Sequence, residues 1–158
     1  MARSSYIPVE GTVQNLSSMQ GSCCNQLLTL STSNGIVTFV VSRDTYIANN
    51  LMLRRGMRVV AFYDENLPVP LIFPPRYQAE VITLLGRNES VALNYFNRNL
   101  LAQDNSLQLN ISPATNITTA NGQRFTCRLG DNLLLVYYST TTRSLPPQTT
   151  PHRIIVFC

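Results

Sequence analysis

The residues able to perform acid–base chemistry are few and lie apart in the chain. There is one histidine, His152, and there are eight carboxylates, of which only Asp64 and Glu65 are adjacent. These two fall at a predicted turn after a strand, where neighbouring side chains diverge more often than they converge. A serine or cysteine nucleophile needs a base close by, and only His152 is available for that role. Because catalysis requires titratable groups held together, we expect no catalytic site.

Metal and cofactor ligands are equally sparse in the sequence. The four cysteines lack the paired C-x2-C spacing of structural zinc sites. The seven glycines are dispersed, so no glycine-rich loop is present to hold a phosphate group. We therefore expect neither a metal site nor a bound cofactor.

The cysteines indicate a different chemistry. Cys23 and Cys24 lie in the polar segment 17–25, which is expected to be an exposed loop, and Cys158 is the last residue of the sequence. Adjacent cysteines rarely bridge each other, for geometric reasons. Cys23, Cys24 and Cys158 are therefore candidates for intermolecular disulfides, although free surface thiols without a role are an open alternative. Cys127 is expected to be a buried, inert thiol.

The composition allows a core but gives a surface with little charge. Hydrophobic residues make up 44% of the chain and charged residues 13%, so neutral polar groups must cover the surface. Low charge repulsion between copies tolerates self-association. The net charge is +4, and every basic side chain apart from the histidine is arginine, which serves phosphate contacts or protein interfaces. Arg54, Arg55 and Arg58 form the one local group and are expected on a solvated loop.

The elements that must position these residues are strands. Short runs of aliphatic and aromatic residues are broken by glycine, proline, asparagine and serine, which is typical of β-structure. Strands are predicted at 6–16, 25–31, 36–41, 57–63, 77–84, 90–96, 106–111, 132–138 and 153–157. A short helix is predicted within 45–53, and tight turns at Asn34-Gly35 and Asn121-Gly122.

An internal repeat divides the chain. Three pairs of segments match in the same order: 41–47 with 111–117, 59–63 with 134–138, and 81–82 with 156–157. The first pair is offset by 70 residues and the other two by 75, which indicates one insertion between the matches. The sequence therefore predicts an all-β protein of two related halves, residues 1–87 and 88–158. Each half is expected to be a small OB-like barrel, closed or partly open.

A proline-rich segment precedes the last strand of each half. Proline fixes φ and lacks an amide donor, so segments 68–76 and 145–151 are expected to be stiff connectors outside any sheet ladder. Such loops would present Ile72, Phe73 and Leu145 to a neighbour with little loss of chain entropy. These three residues are the predicted assembly contacts.

The same segments resemble a known group of sequences. VAFYD at 60–64, PVPLIFPPRYQA at 68–79 and TTRSLPPQTTP at 141–151 are similar to an uncharacterised family of small β-proteins from spore-forming Gram-positive bacteria. The resemblance extends over nearly the whole chain and implies a source, but no activity and no catalytic residues. It implies a protein made in the cytoplasm and deposited on a spore or cell surface, where oxidising conditions come later.

Two functional classes follow. The first is a non-catalytic structural protein that self-assembles into a homopolymer, a filament or layer, partly through intermolecular disulfides. The second is an OB-type module for single-stranded nucleic acid, with Arg54, Arg55, Arg58 and Arg76 contacting phosphates beside exposed aromatic residues. No segment approaches the ~20 apolar residues that cross a membrane. Residues 1–11 lack the apolar stretch of a secretory signal.

Overall fold

The computed structural model describes residues 4–158 and is all-β, as the sequence predicts. Residues 1–3, which begin the predicted first half, lie outside the described range. The chain divides into two compact units, a first that ends at Leu85 and a second that spans Gly86–Cys158. No helix in the described part is long and apolar enough to span a membrane.

The first unit contains one sheet of seven strands within residues 4–85. The strands are β1 (Tyr6–Met19), β2 (Ser22–Thr32), β3 (Gly35–Val41), β4 (Tyr46–Ile47), β5 (Arg58–Asp64), β6 (Arg76–Gln78) and β7 (Val81–Leu84). They pair in the order β4-β7-β5-β1-β2-β3-β6. The expected helix within 45–53 is reduced to β4 and one 3-10 turn, Ala48–Asn50, because Tyr46 and Ile47 pair in parallel with Val81 and Ile82.

The core of this unit is built by the inward residues of the central strands. Leu28 and Leu30 of β2 are fully buried beside Phe39 of β3, and Val59 and Ala61 of β5 complete the same cluster. β5 has four consecutive buried residues rather than an alternating pattern. A continuous apolar run of this kind is typical of a strand covered on both faces.

The regular ladders of the first unit leave the sheet open. β4 and β6, at its two ends, are two and three residues long, too short to join each other. The closed form of the expected barrel is therefore not formed. The predicted strand 77–84 is split for a related reason, since the chain changes partners within it. Ala79 N–H donates to the Val40 carbonyl at 3.0 Å, and Glu80 N–H donates to the Phe62 carbonyl at 2.8 Å.

The second unit has shorter strands. They are β8 (Ser90–Phe96), β9 (Gln108–Leu109), β10 (Asn116–Thr119), β11 (Asn132–Tyr138), β12 (Gln148–Thr149) and β13 (Arg153–Phe157). One sheet has the order β10-β13-β11-β8, and β12 pairs separately with β9. The core contains Phe96, Leu109, Leu134, Val136 and Ile154, all buried. β8, β11 and β13 have the bounds predicted from the sequence, because each combines a dense aliphatic run with turn residues at both ends.

Both proline-rich segments end inside ladders, which corrects the expectation that they lie wholly outside them. Arg76 begins β6 and pairs with Thr38 of β3. Gln148 begins β12 and pairs with Gln108 of β9. In both places the paired strands are parallel and follow the last proline of the segment directly, so proline's missing amide interrupts no bond of the ladder.

Equivalent residues of the two units make the same local bonds. The Thr45 hydroxyl accepts the Ser42 N–H at 3.0 Å and donates to the Ala79 carbonyl at 2.8 Å. Thr115, 70 residues later, accepts the Ser112 N–H at 3.3 Å and donates to the Pro151 carbonyl at 2.7 Å. In each case the hydroxyl joins a turn to the segment before the last strand of its unit.

The ladders that follow these turns correspond as well, but with a shorter offset at the end. Tyr46 pairs with Val81 in the first unit, and Asn116 pairs with Arg153 in the second. Val81 thus corresponds to Arg153, 72 residues later, and not to Val156 as the sequence match had it. Both segments are apolar and β-forming, so the sequence pattern alone left this register undetermined.

Candidate functional site

His152 has a carboxylate partner within the second unit. Its Nε2 lies 2.7 Å from Oε2 of Glu89, and Oε1 of Glu89 accepts the Gly86 N–H at 3.0 Å. Within residues 4–158 the His152 ring makes no hydrogen bond to a serine or cysteine. His152 is half exposed and Glu89 largely buried. This pair joins the beginning of the unit to the residue preceding β13, which is an anchoring role.

The described residues offer little else for catalysis or metal binding. They contain no group of three or more histidine, cysteine or acidic side chains placed to hold a metal ion. A surface recess of about 240 Å³ in the second unit is lined by five threonines and the amides of Asn110 and Gln148. Because these groups do not ionise near neutral pH, the recess holds no acid or base.

All four cysteines are exposed and unpaired. Cys23 and Cys24 lie in β2 and not in a loop, since a tight turn at Gly21 lets β1 and β2 continue as a two-stranded arm. The ladder skips three residues here, because Ser18 pairs with Gln26 whereas Met19 pairs with Ser22. Cys23 and Cys24 are part of this bulge.

Cys127 is exposed as well, so the expectation that it is buried is wrong. It lies between Phe125, which packs against the core, and buried Leu129. In this irregular segment the two larger apolar side chains occupy the inward positions. Cys158 follows β13, and its side chain is exposed beyond the last paired residue, Phe157.

The proline-rich segments expose large apolar side chains. Phe73 is 92% exposed and Leu145 is 95% exposed, and each directly precedes a Pro-Pro pair. Ile72 is 47% exposed. Leu71, which the sequence reasoning did not single out, is fully exposed. Its position between Pro70 and Ile72 in the same stiff segment is a signal that could have found it.

The structure brings three of the four candidate arginines together. Arg54, Arg55 and Arg58 are exposed around the turn that leads into β5, and Arg58 forms an ion pair with Glu10 at 3.5 Å. Arg76 lies apart from them on β6, and its Nε is buried without a hydrogen-bond partner among the described residues. The four residues therefore do not line one groove.

Most aromatic candidates for base stacking are unavailable. Phe62, Phe96 and Tyr137 are buried. Tyr63 and Tyr77 stack on each other, with ring centroids 4.0 Å apart and planes inclined by 14°. Each of the two rings thus already covers a face of the other.

An acidic group escaped the sequence reasoning because its members are distant in the chain. The Tyr46 N–H donates to the Glu80 carbonyl at 2.9 Å, which brings the turn carrying Asp44 next to Glu80. Glu80 in turn is bonded to the end of β5, where Asp64 lies. Burial raises the pKa of Glu80 above its usual 4.5, and the charges of Asp64 and Asp44 raise it further.

The tyrosine beside this group is also affected. Burial raises the pKa of Tyr63 above its usual 10.0, and Tyr77 and the negative charge of Glu65 add to the effect. Glu65 and Asp44 are exposed, while Asp64 and Glu80 are partly buried. This end of β5 is therefore negatively charged and partly dehydrated.

Comparison with known proteins yields one distant structural similarity. The chain matches no family model and no curated protein. Among solved structures it is similar to apo TiaS, a tRNAIle2 agmatidine synthetase, with 15% sequence identity and a TM-score of 0.34. The match covers 95% of this chain and 32% of that chain, so this chain spans about a third of that protein's length.

Proposed function

We propose that this protein is a non-catalytic structural protein that self-assembles, partly through intermolecular disulfides. The observation that carries the proposal is that all four cysteines are exposed and unpaired, with two in each unit. A free thiol on the surface is reactive, whereas a buried structural cysteine is inert. Cys23 and Cys24 on the arm and Cys158 after β13 are the proposed bridging residues.

The exposed apolar side chains support assembly independently of the thiols. Phe73 and Leu145 are almost completely exposed on stiff proline segments. Hydrophobic side chains that are held in water are stabilised when another surface covers them. The low charge content of the chain leaves little repulsion to prevent this. Ile72, Phe73 and Leu145 are therefore proposed as assembly contacts.

We further infer that the units are tandem copies of one partly open OB-like barrel, and the matched bonds of Thr45 and Thr115 support this. In the first unit, the change of partner at Ala79 and Glu80 lets one extended segment bond β3 on one side and β5 on the other. This is how the last strand of an OB-like barrel joins its two edges.

Nucleic-acid binding is the second candidate, and the arginine group beside β5 is the observation that favours it. Single-strand binding of this kind also needs aromatic faces on which bases stack. Phe62, Phe96 and Tyr137 are buried, and Tyr63 and Tyr77 cover each other. The supply of arginine without available aromatic faces favours assembly over this alternative.

The oxidation that forms each bridge requires an electron acceptor. Two thiols lose two protons and two electrons, the sulfur atoms join, and dioxygen or a small-molecule disulfide receives the electrons. We propose that this occurs after deposition on an oxidising surface, such as that of a spore. The geometric requirement is that the two Cα atoms approach within about 4.4–6.8 Å.

The test compares the parent chain with a variant in which Cys23, Cys24 and Cys158 are replaced by serine. Electron microscopy and native mass measurement, with and without reductant, report the assemblies. We expect thiol-sensitive polymers from the parent and fewer, heat-labile ones from the triple variant. The matched control is Cys127→Ser, which removes an exposed cysteine that is not a proposed bridging residue.

Two outcomes contradict the proposal. Assemblies of the triple variant that survive heat as well as those of the parent would reject the disulfide role. A parent that is monomeric at all concentrations would reject self-assembly, and a shift of an oligonucleotide by that monomer would favour the nucleic-acid alternative.

A further inference from the structure

The charged residues of the first unit are gathered at the two ends of β5. β5 begins at Arg58 and ends at Asp64, so its ends are about 20 Å apart at the rise of an extended strand. Arg54 and Arg55 lie in the turn that precedes the strand, and Glu65 follows it. A single strand thus separates a basic end from an acidic end.

The basic end consists of Arg54, Arg55, Arg58 and Glu10. Glu10 is paired with Arg58 at 3.5 Å, which leaves Arg54 and Arg55 as the uncompensated charges. Neither makes an ion pair with any residue of the range 4–158. Both side chains are exposed, and the Met57 N–H donates to the Arg54 carbonyl at 3.2 Å, which holds the turn.

The acidic end consists of Asp44, Asp64, Glu65 and Glu80, with Arg43 beside Asp44. Hydrogen bonds of Tyr46 and Glu80 bring these carboxylates together from three parts of the chain. None of the four forms an ion pair with another described residue. Apart from Arg76, every charged residue between positions 4 and 85 belongs to one of these two ends.

We propose that the acidic end of β5 in one copy docks on the basic end of β5 in the next copy. The inference rests on the proposed self-assembly and specifies its polarity and its partner, a second copy of this chain. The two ends are complementary in charge, and each end lies far from the other relative to the Debye length of about 8 Å at physiological salt. A copy therefore cannot neutralise its own ends.

Such a contact is heterologous, because two different surfaces of the same unit meet. Repetition of a heterologous contact produces a ring or an open filament rather than a two-fold dimer. Complementary charge mainly speeds the encounter and fixes the orientation of the partners. The apolar contacts and the disulfides would then stabilise a register that the charges select.

The experiment uses the full chain in reductant, so that disulfides do not contribute, and follows assembly by light scattering and sedimentation velocity. We expect the apparent association constant to fall by roughly tenfold or more from low to high salt, since electrostatic steering is screened by salt. The variant Arg54→Glu/Arg55→Glu has two acidic ends, and Asp44→Arg/Glu65→Arg has two basic ends. Each alone should fail to assemble, whereas an equimolar mixture should form alternating polymers.

The matched control is Arg87→Glu/Arg98→Glu, which makes the same change of net charge with exposed residues of the second unit. It should assemble like the parent, and circular dichroism checks that every variant remains folded. The milder Arg54→Gln/Arg55→Gln variant serves if the charge reversal unfolds the chain, and it too should weaken assembly. A parent that assembles without any response to salt or to these variants would overturn the docking of the two ends while self-assembly stands. A monomeric parent would overturn both.

Discussion

The imidazole Nε2 of His152 lies 2.7 Å from Oε2 of Glu89, and the two residues are 63 positions apart in the chain. Because Glu89 also accepts the Gly86 N–H, one carboxylate joins the first residue of the second unit to the residue that precedes β13. The histidine that the sequence offered as a base is thus held by a carboxylate but faces no hydroxyl or thiol partner among the described residues.

Removing this link should destabilise the protein. Glu89→Ala deletes both bonds of the carboxylate, and we expect the free energy of unfolding to fall by about 1 kcal/mol. Urea unfolding followed by circular dichroism measures the loss. Glu10→Ala is the matched control, because its exposed ion pair with Arg58 should contribute less than about 0.5 kcal/mol. Equal losses in the two variants would show that the Glu89 link has no special role.

The raised pKa of Glu80 predicts a pH-dependent stability. Burial first, and then Asp64 and Asp44, favour the neutral carboxyl in the folded state, so its pKa lies above the unfolded value. The folded state therefore holds this proton more tightly, and the resulting stabilisation, present below the unfolded pKa, is lost as pH rises through the folded pKa. At neutral pH the charged Glu80 lowers stability.

Glu80→Gln should accordingly raise the free energy of unfolding at neutral pH. The gain should vanish in acid below the usual 4.5, where the parent carboxyl is protonated in both states. Unfolding by urea at the two pH values measures the difference. Glu10→Gln removes a carboxylate that is paired with Arg58 and should give no such gain. A loss of stability at neutral pH in Glu80→Gln would contradict the prediction.

Thr45 and Thr115 should contribute equally to their units. Valine in place of either threonine keeps the shape but removes two hydrogen bonds of the hydroxyl. We expect each change to lower the free energy of unfolding by about 1–2 kcal/mol, with similar values at the two positions. Thr141→Val, at an exposed threonine, should have little effect. Strongly unequal losses would count against tandem copies of one barrel.

The exposed apolar residues should affect association but not folding. Phe73→Ser and Leu145→Ser remove side chains that are 92% and 95% exposed, so the free energy of unfolding should change by less than about 0.5 kcal/mol. The concentration at which polymers appear in light scattering should increase, because less apolar area is buried at each contact. Ile111→Ser, at a residue 40% exposed outside the proline segments, is the control and should leave assembly unchanged.

Local patterns in the sequence were sufficient for several features. The bounds of β8, β11 and β13 were predicted because each is a dense aliphatic run between turn residues. Gly35 and Gly122 have positive φ at the predicted turns, as the Asn-Gly pairs require. Exposure of Phe73 and Leu145 followed from their place among prolines, which leaves them few ways to turn inward.

Only the tertiary structure decided which distant residues meet. The change of partner between Ala79 and Glu80 depends on where β3 and β5 end, and no local pattern encodes that. The meeting of Asp44, Asp64 and Glu80 and the link between Glu89 and His152 depend on the same pairings. Strand alternation and turn chemistry act over a few residues, so they determined the all-β class and the exposed positions. The charged ends and the His152 link arise from contacts between residues far apart in the chain, which exist only once the sheets have formed.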